Sequence, residues 1–304
     1  MESTVSRRPA WLRRAVVTGA AFFLFWAGPR ALRAGESFTV DSARAAAEKG
    51  DAQALYFLAK CYAKGDRVPQ DKAQAAQYLR HAAERGNAYA MNDLGAYYSK
   101  GIGVDRDYSQ AAVWFRKAAR KGDPLAQFSL GLSYATGRGV PRDPKASLRW
   151  YKRAAKQNQP DALLALGDLY LDGSEGIQPD TRRAMEWFRK AAAAGSAAAA
   201  DRLGLVYESG RGVERNSAEA FKWFQSAALN GNAKGRLDLS RMLLEGSAVP
   251  EDPVEAAKWL LLAVRGGAGE ASHLLLVLKQ NGRISPEQFA EASRRADEFE
   301  KAGK

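Results

Sequence analysis

The stretch LGLSYATGRGVPRDPKASLRWYKRAA, Leu130 to Ala155, decides the fold, because its parts return along the chain at an almost constant distance. Trp150 has counterparts at Trp114, Trp187, Trp223 and Trp259, in steps of 36, 37, 36 and 36 residues, with Tyr78 standing 36 before the first. Gly137 belongs to a second series with the same step: Gly65, Gly101, Gly137, Gly173, Gly210, Gly246 and Gly282. The one extra residue falls in Gly173-Ser174-Glu175-Gly176, where sister segments read Gly137-Arg138-Gly139 or Gly210-Arg211-Gly212. An insertion confined to a turn between registered copies marks an array of about seven units of about 36 residues rather than a single globular core.

Each unit predicts two helices. The first half spaces Ala, Leu and Tyr by four, as in Ala90, Leu94, Tyr98 and Ala199, Leu203, Tyr207, which is one helix face. The second half aligns Ala111, Trp114, Ala118, repeated as Ala184, Trp187, Ala191 and Ala220, Trp223, Ala227. Helices of about 14 residues are marginal alone in water, so neighbouring units must supply the stability.

The boundaries carry their own chemistry. Asp71, Asp107, Asp143, Asp180, Asn216 and Asp252 precede the second helices, where a side-chain oxygen accepts from free backbone N–H groups. Gln74, Gln110, Glu219 and Glu255 stand three residues later, as in a capping box, and Pro144 and Pro253 take the first helical position. Gly86, Gly122, Gly195 and Gly231 stop these helices. Small residues at Gly95, Gly131, Gly167, Gly204 and Ser240 disfavour an exposed helix, so their recurrence predicts close helix approach. Ser285-Pro286-Glu287-Gln288 starts a last helix whose stripe Phe289, Ala292, Ala296, Phe299 is read as a lid over the final unit.

Leu130-Gly131, Tyr134, Gly137-Arg138-Gly139-Val140, Asp143, Trp150-Tyr151 and Ala154-Ala155 together resemble the Sel1-like repeat family, a relative of the tetratricopeptide repeats. The resemblance covers roughly residues 44 to 281. It implies an all-α fold, a right-handed α/α superhelical solenoid of antiparallel helix pairs with a concave face for partners, as used by adaptors and scaffolds. The expected domains are an N-terminal segment 1–34, a solenoid 35–281 and a capping helix 282–304. The first unit departs from the pattern, with Tyr78 for Trp and Arg67 for the second Gly, and the sixth carries Leu243 and Ala248 at pattern positions. Some secreted bacterial members carry helix-pair disulfides, and the lone Cys61 departs from that version.

At 304 residues, 46% hydrophobic and 26% charged, the composition excludes collagen-like and low-complexity chains. One cysteine cannot form an internal disulfide, and no second Cys or His stands near Cys61 at zinc-ligand spacing. The net charge is +12, of which the first 35 residues supply +5 through Arg7, Arg8, Arg13, Arg14, Arg30 and Arg33 against Glu2. The remaining excess is read as spread over the rest of the chain, bearing on solubility. Ala15 to Ala27 (AVVTGAAFFLFWA) is an apolar run behind two Arg pairs, followed by Gly28-Pro29 and Ala31-Leu32-Arg33-Ala34. Thirteen helical residues reach about 20 Å against a hydrocarbon core of roughly 30 Å. A cleaved export signal is therefore favoured over an uncleaved inner-membrane anchor or a cytoplasmic start. The expected location is the periplasm or the exterior of a bacterial cell.

Reactive groups are sparse. His81 takes a slot held by Lys117, Arg153 and Lys190 in sister units, and His273 has no acidic or second His partner nearby in sequence. The Gly-x-Gly pairs lack the third glycine and preceding strand of a dinucleotide loop, so an inter-helix turn is expected. The five periodic tryptophans are read as core, since their exposure would create large apolar patches. The pairs Arg116-Lys117, Lys152-Arg153 and Arg189-Lys190 lie in the last turns of second helices, where cations suit the helix dipole, rather than forming a nucleic-acid stripe. Cys61 shares a slot with Tyr97, Leu169, Val206 and Met242 and is read as packing.

The expectation is a non-enzymatic, exported adaptor, monomeric and without cofactor or metal, binding a protein or peptide. No nucleic acid is expected as partner, and membrane contact only through an uncleaved N-terminal segment. By analogy with the family's geometry, the variable first-helix positions Asn92, Phe128, Leu164, Asp201 and Leu237 are the candidate contacts. A cell-wall glycan binder or processing enzyme is the alternative; it requires a paired-carboxylate cleft, for which no motif stands out.

Overall fold

The computed structural model describes residues 39–303, so the predicted export segment lies outside the described residues. Within them the chain is an all-α helical repeat solenoid of fifteen helices. They are α1 (Val40–Glu48), α2 (Ala52–Lys64), α3 (Lys72–Glu84), α4 (Ala88–Lys100), α5 (Tyr108–Arg120), α6 (Pro124–Thr136), α7 (Pro144–Ala155) and α8 (Pro160–Asp172). The series continues with α9 (Thr181–Ala193), α10 (Ala197–Ser209), α11 (Ser217–Leu229), α12 (Ala233–Glu245), α13 (Pro253–Arg265), α14 (Gly269–Gln280) and α15 (Pro286–Ala302). The helices fall into two compact units, residues up to 162 with 174–177, and residues 163–173 with 178 onward. In each, a first helix packs on its own second helix, as α4 on α5 and α10 on α11, and that second helix packs on the next first helix.

The six expected second-helix caps all form: Asp71, Asp107, Asp143, Asp180, Asn216 and Asp252 each accept from a backbone N–H two or three residues on. First helices are capped the same way, by Asp51, Asn87, Asp123, Ser196 and Asn232, so one short polar residue serves at each end of the pair. The expected capping boxes in the repeats are different. Glu219 and Glu255 instead pair with Lys222 and Lys258, both at 2.7 Å. The reciprocal bond closes at Thr39 with Ser42 and at Ser285 with Gln288, as expected for the latter.

The close approach predicted at the helical glycines has a specific occupant. A Cβ added to Gly95, Gly131 or Gly204 would stand 2.7, 2.6 or 2.5 Å from the ring of Phe115, Tyr151 or Phe224, and one added to Gly167 would overlap the ring of Phe188. The aromatic at the end of each Trp-aromatic pair therefore fills the core directly against a glycine. Where that ring is replaced by Leu79 or Leu260, the matching small residue is Ala59 or Ser240, and all four are buried. Ring and glycine are exchanged together, as close packing demands.

This corrects the reading of the tryptophans as core. Trp114 and Trp259 are buried, but Trp150, Trp187 and Trp223 are only half-buried, whereas Tyr151, Phe188 and Phe224 are fully buried. Adjacent helical residues point about 100° apart. The ring on the inner side of the stripe meets the glycine, and its neighbour lies on the shoulder.

The basic pairs also have a second role beside the helix dipole. Their later members, Lys117, Arg153 and Lys190, lie over the rings of Trp114, Trp150 and Trp187 at 3.9, 4.5 and 4.7 Å. Earlier members Arg116 and Arg189 donate to the hydroxyls of Tyr134 and Tyr207 at 3.3 and 2.9 Å, on the next first helix. Arg80 reaches Tyr98 in the same register at 2.6 Å.

The Gly-x-Gly turns are inter-helix turns, as expected. Gly103 and Gly139 hold φ of 64° and 73°, and a Cβ there would collide with the carbonyl oxygen of Lys72 or of Tyr108, at the start of the preceding second helix. Arg67 occupies the same slot in the first unit with φ of 62°, and its side chain is exposed.

The C-terminal helix covers the end of the array. Ala292 and Ala296 are buried, Phe299 meets Trp259 edge-on at 5.3 Å, and Arg265 bonds Asp297 and Glu300, both at 2.7 Å. The lid packs chiefly on α13.

Candidate interaction face of the first helices

Repeating residues of the first helices point into the pairs. The side left over is a stripe spaced by four, three and four: Tyr89, Asp93, Ala96, Lys100 on α4, and Leu125, Ser129, Leu132, Thr136 on α6. Tyr89 and Leu125, one repeat apart, are 49% and 45% exposed, in the same register of adjacent units. Tyr89 stacks on Tyr56 of α2 with centroids 6.3 Å apart. The Tyr56 hydroxyl donates to Asp93 Oδ2 at 2.9 Å, and Lys60 Nζ lies 3.5 Å from the same carboxylate. Burial, then the Asp93 charge, holds the Tyr56 phenol far above its usual range, so it remains a donor.

The same register in the second compact unit is ionic. Arg202 bonds Asp168 at 2.8 Å, Lys234 lies 4.0 Å from Asp201, and Arg241 joins Asp238 at 2.9 Å to Glu270 at 3.1 Å. Burial raises the Asp238 carboxyl above the usual aspartate range, against the lowering pull of Lys234 and Arg241. Glu208 is raised too, by burial and by Asp238 and Glu245 beside it. Nothing in this face forms a group of three or more His, Cys, Asp or Glu that could hold a metal, here or elsewhere among the described residues.

The candidate contacts named from the sequence lie on the flank of this stripe. Asn92, Asp201 and Leu237 are buried, and Phe128 and Leu164 are half-buried, with Phe128 stacked on Tyr151 at 5.6 Å. Asn92, Asp201 and Leu237 are thus corrected from open contacts to packed positions. The more open positions are Tyr89 and Leu125, which are exposed, and Asp93 and Arg202, which are partly exposed, one residue on or three back along the same helices. An equal variability at these positions in the sister units was the available signal. Cys61 is buried, as expected for packing, and burial raises its thiol. Both histidines are exposed.

The Sel1 repeat pattern matches residues 52–87, 88–123, 124–159, 160–196, 197–232 and 233–267, each a first and a second helix with their turn. The chain belongs to the Sel1 repeat family. Six Sel1 repeats are thereby matched, and α14 with the lid follows the sixth. The structure of c5321, a protective antigen present in uropathogenic Escherichia coli strains, is 34% identical with a TM-score of 0.73, over 86% of this chain and 56% of that one. This chain therefore spans little more than half of c5321. A Sel1 repeat protein from Oxalobacter formigenes is 30% identical with a TM-score of 0.65, over 81% of this chain and 96% of the other. Immunity protein PA5088 from Pseudomonas aeruginosa, at 21% identity and a TM-score of 0.50 over 72% of this chain and 82% of its own, shares the fold. No curated protein matches. Sel1 repeats commonly form protein–protein interaction scaffolds and are generally non-enzymatic.

Proposed function

We propose that this Sel1 repeat protein is an exported, non-enzymatic adaptor that binds a protein or peptide through the first-helix face. The observation that carries this reading is the pair Tyr89 and Leu125. They are two of the five large hydrophobics left exposed among the described residues, and they stand in one register beside the Lys60–Asp93 pair. Tyrosine is enriched among the residues that concentrate binding energy at protein interfaces, and Leu125 extends the apolar surface beside it. Repeated residues, by contrast, are engaged in packing.

Tyr89→Ala with Leu125→Ala is expected to weaken capture of the partner at least about 30-fold, taking about 1 kcal/mol or more per anchor, with melting unchanged. Lys190→Ala, on a second helix, is the control. Loss of capture by the control alone places the interface on the other side.

The export part rests on the basic flank and the apolar run Ala15 to Ala27. Among the described residues no helix is long and apolar enough to cross a membrane. A reporter fused after Lys304 is expected to work only across the inner membrane; cytoplasmic activity with the N-terminus intact refutes export.

A further inference from the structure

The positive charge of the chain is not spread evenly, contrary to the reading from composition. Between Tyr108 and Lys156 stand eleven Lys and Arg against two acids, Asp123 and Asp143. Both acids are engaged as N-caps, of α6 and α7. This one segment holds an excess of nine in a chain whose total is +12.

The fold gathers these charges on one side. Helices α5 and α7 both pack on α6, and the turns that flank them meet. The turn at Gly139 sits on the Tyr108 carbonyl, and Gln157 Nε2 donates to the Gly122 carbonyl at 2.9 Å. Arg120, Lys121, Lys145 and Lys156 are exposed and form no ion pair among the described residues. Lys117 and Arg153 are exposed as well, over the indoles of Trp114 and Trp150. Arg149 has only a distant contact, 3.9 Å to Asp143. Amid these cations Val113 is 39% exposed and the Trp150 indole is partly exposed.

We propose that the α5–α7 surface docks on an anionic phospholipid bilayer. Point charges without paired acids are drawn to a negative headgroup layer, each Lys or Arg near the surface adding to the attraction. A partly exposed indole and an exposed valine suit the boundary between headgroups and acyl chains, where tryptophan is enriched. The choice of a bilayer over nucleic acid rests partly on the export reading, since an exported chain meets the membrane first. This surface lies on second helices and their ends, whereas Tyr89 and Leu125 lie on first helices.

The test is flotation of the full-length chain with vesicles of phosphatidylglycerol and phosphatidylcholine, against vesicles of phosphatidylcholine alone. The apolar run Ala15 to Ala27 contributes equally to every variant, so the ratio of anionic to neutral partitioning reads the surface. The quadruple variant Arg120→Gln, Lys121→Gln, Lys145→Gln, Lys156→Gln is expected to lower that ratio at least about tenfold. Arg182→Gln, Arg215→Gln, Lys222→Gln and Lys301→Gln, which removes the same charge elsewhere, is expected to leave it within about twofold. Parental binding is expected to fall steeply as salt is raised, which tests the surface even if a variant folds poorly. An equal loss in both quadruple variants means that net charge alone acts, and overturns the proposal. So does an anionic-to-neutral ratio near one, or tighter binding to a duplex DNA than to the anionic vesicles. Each of these leaves the export reading to its own reporter assay.

Discussion

Phe188→Ala is expected to destabilise the second compact unit by about 3 to 5 kcal/mol, the usual cost of removing a fully buried ring. Phe188 is 0% exposed and lies against Gly167, whose hydrogen faces the ring because a methyl there would overlap it. Trp187→Ala removes a larger side chain yet is expected to cost about half as much, because that ring is half-buried and its outer face carries Lys190. Denaturant melts followed by helical signal decide between them; Trp187→Ala costing more than Phe188→Ala reverses the assignment of the core. The pairing also predicts non-additivity. Gly167→Ala overpacks the site by about 1 to 3 kcal/mol. Combined with Phe188→Leu it is expected to cost less than the sum of the two, since Ala59 with Leu79 shows that a small aliphatic pair fits the same position.

The second large effect belongs to the turn. Gly139→Ala is expected to cost about 2 to 4 kcal/mol, from a left-handed backbone denied to a β-carbon and from collision with the Tyr108 carbonyl. Backbone cannot swing aside as a flexible side chain does. Arg67→Gly, in the matching slot of the first unit, is expected to be neutral or mildly stabilising, by up to about 1 kcal/mol, since Arg67 already holds φ of 62° and its side chain is exposed. Thermal melts of the two variants check both. A Gly139→Ala chain as stable as the parent removes the turn's role in joining units.

The features most legible in the sequence were those fixed within a few residues. Asp107 and Asp143 cap their helices because a short carboxylate reaches the backbone N–H groups two or three residues on, whatever the rest of the chain does. The period also located the turns and the lid at Ser285. What it misjudged was depth. Trp187 and Phe188 share a period, and only the partner across the helix pair, Gly167, says which ring goes inside. The exchange of Gly and aromatic for Ala59 with Leu79 was present in the sequence and carried that information. The face suffered the same ambiguity: Asn92 and Asp93 differ by one residue, yet one is buried and the other meets Tyr56 and Lys60 on the open stripe. Charge was legible in amount but not in place. Helices α5 and α7 are a whole repeat apart in sequence and neighbours only once α6 lies against both.

The central claim is that repeated residues pack the array while the non-repeating first-helix stripe meets the partner. Site-specific photocrosslinking in living cells measures this directly, with a benzophenone side chain in place of Tyr89, Leu125 or, on a second helix, Val113. The account predicts one common crosslinked protein from Tyr89 and Leu125 and none of that protein from Val113. Crosslinks to it from Val113 with none from the other two contradict the account.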